Sequence, residues 1–194
     1  MVNKFILGIA NFGNEYLGKK LDWIKCFEIL DEFEKLGGEL VDTANDYGNS
    51  VEIINKFIQD KNSKLKIIYK HDGTLNEYKT GLKCENLNTN NLFAFMMRTK
   101  RICTGEDKNI LFGQSIYYPE ELNPDSKVIE IPNCSIWDAY LPIMHLHAKI
   151  FVRSNYRINP EFQIKRKELI DGYIIGVENV EEVRKNMEKF NGHY

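Results

Sequence analysis

Short apolar segments alternate with segments of helical periodicity along much of the chain. Eight apolar runs have the length of β-strands: residues 5–10, 39–43, 65–70, 92–97, 110–116, 128–131, 150–153 and 173–175. The pattern between them predicts a helix capped by Asp22 and ended by Gly37, and further helices over 50–60, 75–83 (a weak one), 135–148, 160–170 and 180–190. This alternation is typical of repeated β-α units around a largely parallel sheet.

Eight strands joined mainly by helices predict a closed (β/α)8 TIM barrel, in a single domain over residues 1–194. The chain has 194 residues, just under the roughly 200 to 400 that such barrels use. We therefore expect some outer helices to be lost or shortened. An open doubly wound sheet is the alternative, but no GxGxxG pattern follows the first strand, which disfavours a dinucleotide-binding sheet of that type.

The composition argues against several classes of function. The net charge is -2, so no basic surface for nucleic acid is expected. No apolar stretch approaches the ~20 residues that span a bilayer, and the N-terminus lacks a signal-peptide cleavage pattern. The four cysteines lie far apart without close pairs, so no metal site is expected. We expect a cytoplasmic protein that binds neither nucleic acid nor membrane.

Polar side chains gather where the predicted strands end, and in a barrel these ends meet around one pocket. The set comprises Asp42, Tyr47, Lys70, Arg98, Gln114, Ser115, Asn133, Cys134, Arg153, Ser154 and Gly176. Each residue alone has an ordinary structural explanation, such as a turn cap or a packed aromatic. Together, Asp42, Lys70 and Tyr47 would form an acid–base device, in which the ammonium lowers the tyrosine pKa and the carboxylate aims the ammonium.

Six segments resemble the aldo-keto reductase superfamily, and they follow its order. VDTANDYG resembles the family's Asp-Thr-Ala-x-x-Tyr-Gly signature. KIIYK, FGQSIYYPEEL, VIEIPNCSIWD, KIFVRSNY and YIIGVENVEEVRKNM are similar to the family's third, fifth, sixth, seventh and eighth strand regions. The resemblance implies reduction of an aldehyde or ketone, such as a sugar derivative, with NAD(P)H.

The resemblance also implies roles for individual residues. Tyr47 is expected to act as the general acid, Lys70 to lower its pKa and Asp42 to orient Lys70. Cofactor contacts are expected from four residues: Ser154, Gly176, Asn179 and Asn186. The structural alternative at the last helix is a capping box made by Asn179 and Glu182.

The chain departs from the family at the end of the fourth strand. The family carries a catalytic histidine there, whereas LFAFMMRTK offers Met97 or Arg98. Arg98 can hydrogen-bond a carbonyl oxygen, but it stays charged. His71 directly follows Lys70, so we expect its side chain on the opposite face of the strand.

Two further departures concern the cofactor. Glu178 stands where members that prefer NADP commonly carry a basic residue, so NAD is less disfavoured than NADP; Arg184 and Lys185 could partly compensate. The segment over 155–172 is short for a cofactor cover. Apolar barrel surface left by a missing helix predicts a homodimer. Two alternatives stay open: a non-redox descendant that transfers protons on a sugar-like metabolite, and a catalytically silent binding protein.

Overall fold

A computed structural model describes residues 5–15, 21–72, 87, 89–99, 108–153 and 163–191. These residues fold into a closed parallel barrel. Its strands are β1 (Phe5–Gly8), β2 (Leu40–Ala44), β3 (Lys66–His71), β4 (Leu92–Met97), β5 (Leu111–Ser115), β6 (Val128–Pro132), β7 (Lys149–Arg153) and β8 (Gly172–Gly176). Each strand pairs in parallel with the next, and β8 pairs with β1. The predicted (β/α)8 barrel is confirmed.

The helices of the described residues are α1 (Ala10–Gly13), α2 (Trp23–Lys35), α3 (Ser50–Lys61), α4 (Leu141–Met144) and α5 (Val180–Asn191). The predicted limits of α2 are explained by its caps. The Asp22 carboxylate accepts a 2.8 Å hydrogen bond from the Lys25 N–H, and Gly37, with a φ of +85°, ends the helix. None of the described helices is long and apolar enough to cross a membrane.

The helix predicted over 135–148 is wrong in its extent. The structure has a 3-10 turn at Ser135–Ala139, followed by the four-residue helix α4. Pro142 lies at the start of α4. Because proline lacks a backbone N–H, it cannot donate the hydrogen bond that would continue the preceding turn into one helix.

The helix predicted over 160–170 is wrong for the part that the structure describes. Residues 163–170 contain only a 3-10 turn at Lys167–Leu169. The Lys165 and Arg166 N–H groups donate to Asp138 Oδ1, at 3.0 and 3.1 Å. These donors are satisfied by a distant side chain instead of helical carbonyls. The helix predicted over 75–83 lies outside the described residues.

Strand alternation separates the barrel interior from the layer beneath the helices. The lower interior is filled by one apolar cluster: Ile6, Ile68, Ala94, Met96, Val128, Phe151 and Ile174. The intervening strand residues point outward and pack against α2, α3 and α5 or against the α4 side. Ile68 on β3, Val128 on β6 and Phe151 on β7 belong to this inward-facing cluster. The side chain two residues further along each of these strands therefore points into the upper interior. Those positions are occupied by Lys70, Glu130 and Arg153.

The contact between β5 and β6 gives a test of the barrel's packing. A Cβ added to Gly113 would lie 1.7 Å from the Val128 carbonyl oxygen, whereas a Cβ at Gly176 would meet only the Gly8 oxygen, at 3.8 Å. Gly113→Ala is therefore expected to lower the free energy of unfolding by about 1–3 kcal/mol or more, because the two strands must move apart. Urea unfolding measures the change, with Gly176→Ala as the matched control that keeps wild-type stability. Equal stability of the two variants would contradict this packing.

Candidate active site

A buried ammonium lies at the centre of the upper barrel interior. The Lys70 side chain is 2% exposed, and its Nζ lies 2.7 Å from Asp42 Oδ2. The same Nζ lies 3.2 and 3.0 Å from the two carboxylate oxygens of Glu130. A buried charge is costly unless it is paired and hydrogen-bonded. Strands β2, β3 and β6 together supply that pairing.

Glu130 is the site residue that our sequence reasoning missed. Its Oε1 accepts a 3.0 Å hydrogen bond from Arg153 Nη1. Arg153 also donates to Ser115 Oγ at 2.9 Å and to the Ile116 carbonyl at 2.8 Å. A signal was present, because Glu130 is a lone charge within the apolar strand VIEI, and a charge at an inward strand position rarely lacks a partner or a function.

Tyr47 is held by a turn that packs closely on the end of α1. Its N–H donates to the Ala44 carbonyl at 3.2 Å, and its carbonyl accepts from the Ser50 N–H at 3.1 Å. Gly48 follows with a φ of +55°, and a Cβ there would lie 2.4 Å from Asn14 Oδ1. Asn14 Nδ2 in turn donates to the Asp46 carbonyl at 2.7 Å. The glycine of the Tyr-Gly pair is therefore a steric requirement of this turn.

Two cations flank the ring of Tyr47. Lys70 Nζ lies 5.3 Å from the ring centroid, and Arg98 Cζ lies 5.4 Å from it. Arg98 Nη1 donates to Asp46 Oδ2 at 2.5 Å, which ties the guanidinium to the Tyr47 turn. The structure thus brings Asp42, Tyr47, Lys70 and Arg98 into one site, with Arg98 at the end of β4.

The pKa of Tyr47 is raised above its ordinary value, although Lys70 acts to lower it as expected. Burial raises the pKa most, and the carboxylates of Asp42 and Glu130 raise it further. Lys70 and Arg98 lower it, but not enough to reverse the direction. The net rise was not expected from the sequence because Glu130 and the desolvation of the phenol were left out.

The pKa values of the two carboxylates around Lys70 are shifted in opposite directions. Burial raises the pKa of Asp42 to about 7, against the attraction of Lys70, and the Glu130 charge adds to the rise. Burial also raises the pKa of Glu130, but Lys70 and Arg153 together bring it below its ordinary value. The difference follows from the partners, because Glu130 contacts two cations, whereas Asp42 is hydrogen-bonded only to Lys70, which it shares. Within the described residues, Asp42 Oδ1 is buried without a hydrogen-bond partner.

Several strand-end residues lie away from this site. Gln114 faces outward and its amide donates to the Thr99 and Glu121 carbonyls. Asn133 accepts from the Ile164 N–H, and Cys134 packs against the outer apolar cluster. His71 stacks on Phe95 with their centroids 6.4 Å apart, on the outer face as expected. Across the described ranges, no group of three or more metal-ligating side chains is placed to hold an ion.

The residues predicted to contact a cofactor lie at the end of β8 and on α5, except Ser154, which is outside the described residues. Gly176 is exposed at the mouth of the barrel, and Asn186 is half-buried on α5. The Asn179 side chain accepts from the Glu182 N–H at 2.9 Å, and Glu182 Oε2 accepts from the Glu178 N–H at 2.8 Å. These two backbone donors at the start of α5 are therefore satisfied within the chain, as in a capping arrangement.

The basic residues of α5 are also engaged elsewhere. Arg184 Nε donates to Glu32 Oε1 on α2 at 2.7 Å. Lys185 lies 3.9 Å from Glu181, its neighbour one turn away. The sequence allowed Arg184 and Lys185 to offset the negative charge of Glu178. Their own acidic partners weaken that compensation.

Comparison with known proteins supports the fold by structure alone. No family model and no curated protein sequence matches the chain. An aldo-keto reductase structure from Pseudomonas aeruginosa is similar with a TM-score of 0.73 and 16% identity, over 95% of this chain and 88% of that one. A glycerol dehydrogenase from Gluconobacter oxydans matches with a TM-score of 0.61 and 14% identity, over 98% and 93%.

A further match is an aldo-keto reductase from Bacillus halodurans in its apo form. It has a TM-score of 0.59 and 14% identity, over 89% of this chain and 83% of that one. At these identities the similarity establishes the fold, which is the barrel of the aldo-keto reductase structures.

The raised pKa of Asp42 makes a prediction for the pH dependence of stability. Its ordinary value is 3.8 and its value in the fold is about 7, so the folded state holds a proton that the unfolded state releases between about pH 4 and 7. Stability should therefore fall as pH rises through this window, by on the order of 1.4 kcal/mol per pKa unit of difference. Asp42→Asn should flatten that slope in urea unfolding measured from pH 4 to 8.

Asp171→Asn is the control for this comparison. Asp171 accepts a 2.8 Å hydrogen bond from the Ile150 N–H at the opposite end of the barrel, so the variant loses a carboxylate outside the site. It should keep the wild-type slope. Equal slopes in wild type and Asp42→Asn would show that Asp42 does not hold a proton in the folded state.

Proposed function

We propose that this protein is an aldo-keto-reductase-like oxidoreductase that reduces an aldehyde or ketone with a reduced nicotinamide nucleotide. One observation carries the proposal: a buried ammonium, paired with Asp42, lies 5.3 Å from the ring centroid of Tyr47 at the carboxyl ends of the barrel strands. Active sites of such barrels lie at this face. The aldo-keto reductase fold of the structural relatives supports the same reading.

Tyr47 has the protonation that a general acid needs. Its raised pKa keeps the phenol protonated at neutral pH, so it can donate a proton to a carbonyl oxygen as negative charge develops there. The phenolate that forms is stabilised by the two cations beside the ring, Lys70 and Arg98.

Arg98 is the residue we assign to the developing oxyanion. Its guanidinium bonds to Asp46 through Nη1 and has further N–H groups with which to donate to a substrate oxygen. It is held against the Tyr47 ring, so the proton donor and the hydrogen-bond donor lie side by side. A permanent cation here would stabilise negative charge without transferring a proton.

The mouth of the barrel fits the nicotinamide end of the cofactor. Gly8 and Gly176 are paired in register on β1 and β8, and a Cβ at Gly176 would meet only the Gly8 oxygen, at 3.8 Å. A reduced nicotinamide, when bound, supplies the hydride. Gly8 and Gly176 would hold its flat face, because neither has a side chain to obstruct it.

The start of α5 favours NADH over NADPH. Glu178 and Glu182 bring carboxylates to this helix N-terminus, and the Glu178 N–H is already bonded to Glu182. An additional 2'-phosphate would meet these negative charges. We therefore assign NAD as the preferred nucleotide.

The surroundings of the mouth fit a polar, sugar-like substrate. Tyr117 and Tyr118 follow β5 and are 60% and 63% exposed. The Arg153 guanidinium carbon lies 4.0 Å from the Tyr117 ring centroid. Exposed aromatic faces combined with guanidinium donors can stack on a sugar ring and hydrogen-bond its hydroxyls.

A second candidate is proton transfer on a sugar-like metabolite without a nicotinamide. Two observations favour it: the filled donors at the start of α5, and the pKa of Asp42 near 7, which would suit an acid–base group at neutral pH. In this reading Tyr47 and Asp42 move protons, and no redox change occurs.

Replacement of Tyr47 by phenylalanine tests the proposed acid. Tyr47→Phe should reduce turnover by on the order of 10²- to 10⁴-fold, because the proton donor is lost while the ring is kept. The measurement is NADH oxidation with a panel of sugar aldehydes and ketones. Tyr173→Phe is the matched control, since Tyr173 Oη is also buried but lies on the outer face of β8. Full activity in Tyr47→Phe would exclude Tyr47 as the acid.

Cofactor binding gives a separate test. NADH at 100 times its Kd should stabilise the protein by about 2.7 kcal/mol, a rise in melting temperature of about 5–10 °C, and NADPH should give a smaller shift. Gly176→Val should abolish the shift, since its side chain enters the mouth. If neither nucleotide shifts the melting temperature, the redox proposal fails. Deuterium exchange from solvent into sugar phosphates would then identify the proton-transfer reaction.

A further inference from the structure

Lys70 has two carboxylate partners within the barrel. Asp42 Oδ2 lies 2.7 Å from Nζ, and the nearer Glu130 oxygen lies 3.0 Å from it. The second carboxylate is as buried as the first, at 1% side-chain exposure, and desolvating it is costly. Glu130 therefore needs an explanation of its own.

Glu130 is fixed from its far side by Arg153. The Arg153 guanidinium donates to Glu130 Oε1, to Ser115 Oγ and to the Ile116 carbonyl. These bonds anchor the guanidinium to β5. A continuous polar connection thus runs from β5 through β7 and β6 to the ammonium on β3, across the width of the barrel.

We infer that Glu130 is a positioning residue for the reduction proposed above: held by Arg153, it fixes the Lys70 ammonium beside the Tyr47 ring. The inference rests on the proposed function for its catalytic consequence only. The arrangement of Glu130, Lys70 and Arg153, and its effect on the Tyr47 phenol, can be tested without any substrate.

Within the described residues, the charged groups around Tyr47 come from several elements. They are Asp42 on β2, Asp46 in the following turn, Lys70 on β3, Arg98 after β4, Glu130 on β6 and, behind Glu130, Arg153 on β7. Glu130 contributes to the raised pKa of Tyr47. Without its charge, Tyr47 would face the same cations with one fewer carboxylate, and its pKa would fall.

The test is a spectrophotometric titration of Tyr47 in the full-length protein. Tyrosinate absorbance is followed from pH 7 upward in wild type and in Glu130→Gln, and the curve of the matching Tyr47→Phe background is subtracted from each. We expect the Tyr47 transition to move to lower pH in Glu130→Gln. Asp171→Asn, which removes a carboxylate at the other end of the barrel, should leave it unmoved.

A second readout links the charge to turnover. In Glu130→Gln, kcat for NADH-dependent reduction should fall about 100-fold, as expected when a catalytic group is displaced by about 1 Å, while KM changes little. The alkaline limb of the pH profile should move in the same direction as the spectroscopic transition. A purely structural role for Glu130 would move neither pH dependence.

A double variant keeps the inference testable if Glu130→Gln alone does not fold. Glu130→Gln combined with Arg153→Gln removes a charge pair together, which is far better tolerated than removal of one partner. It should show a downward shift of the Tyr47 transition that is smaller than in Glu130→Gln, because a cation is removed with the carboxylate. An unchanged transition in the folded variants would overturn the inference, whether or not the protein reduces carbonyls. A shifted transition without reductase activity in wild type would overturn the proposed reduction and leave the electrostatic role of Glu130 supported.

Discussion

The site depends on one buried ammonium that has to be neutralised by side chains from distant strands. Lys70 Nζ is 2% exposed and is bonded to Asp42 on β2 and Glu130 on β6. An unpaired charge at this depth would be strongly unfavourable. Strands β3 and β6 are not neighbours in the sheet, so the Lys70–Glu130 bond forms across the interior. The curvature of the closed barrel is what brings these groups together.

This arrangement decides the chemical character of Tyr47. An ammonium lowers the pKa of a neighbouring phenol, but here two carboxylates and burial outweigh the two cations that flank the ring. The phenol therefore stays protonated at neutral pH while the cations stand ready to stabilise its anion. Such a group is suited to the proton donation that we propose for Tyr47. The pKa of Tyr47 is thus set by charges beyond the Asp-Lys-Tyr set. Glu130 is the largest departure from that simple arrangement.

Sequence patterns predicted the elements that depend on local periodicity. The apolar runs located all eight strands to within a few residues, and the alternation rule placed His71 outside the barrel because it follows Lys70. The helices predicted over 135–148 and over 160–170, in its described part, were mispredicted for reasons beyond local pattern. Pro142 divides the first, and the Asp138 side chain captures N–H groups of the second from 27 residues away.

The sequence by itself determined the order of strands, the inward position of Asp42 and Lys70, and the Tyr-Gly turn, because each follows from spacing along the chain or from the steric needs of a few adjacent residues. Only the tertiary structure decided the protonation of the site. The pKa of Tyr47 and of Asp42 depends on distances to Glu130 and Arg98 and on exclusion of water. Those distances and that burial are set only when the barrel closes and places Glu130 on β6 across the interior from Lys70 on β3. Electrostatic energy depends on separation in space and on burial, which spacing along the chain does not give.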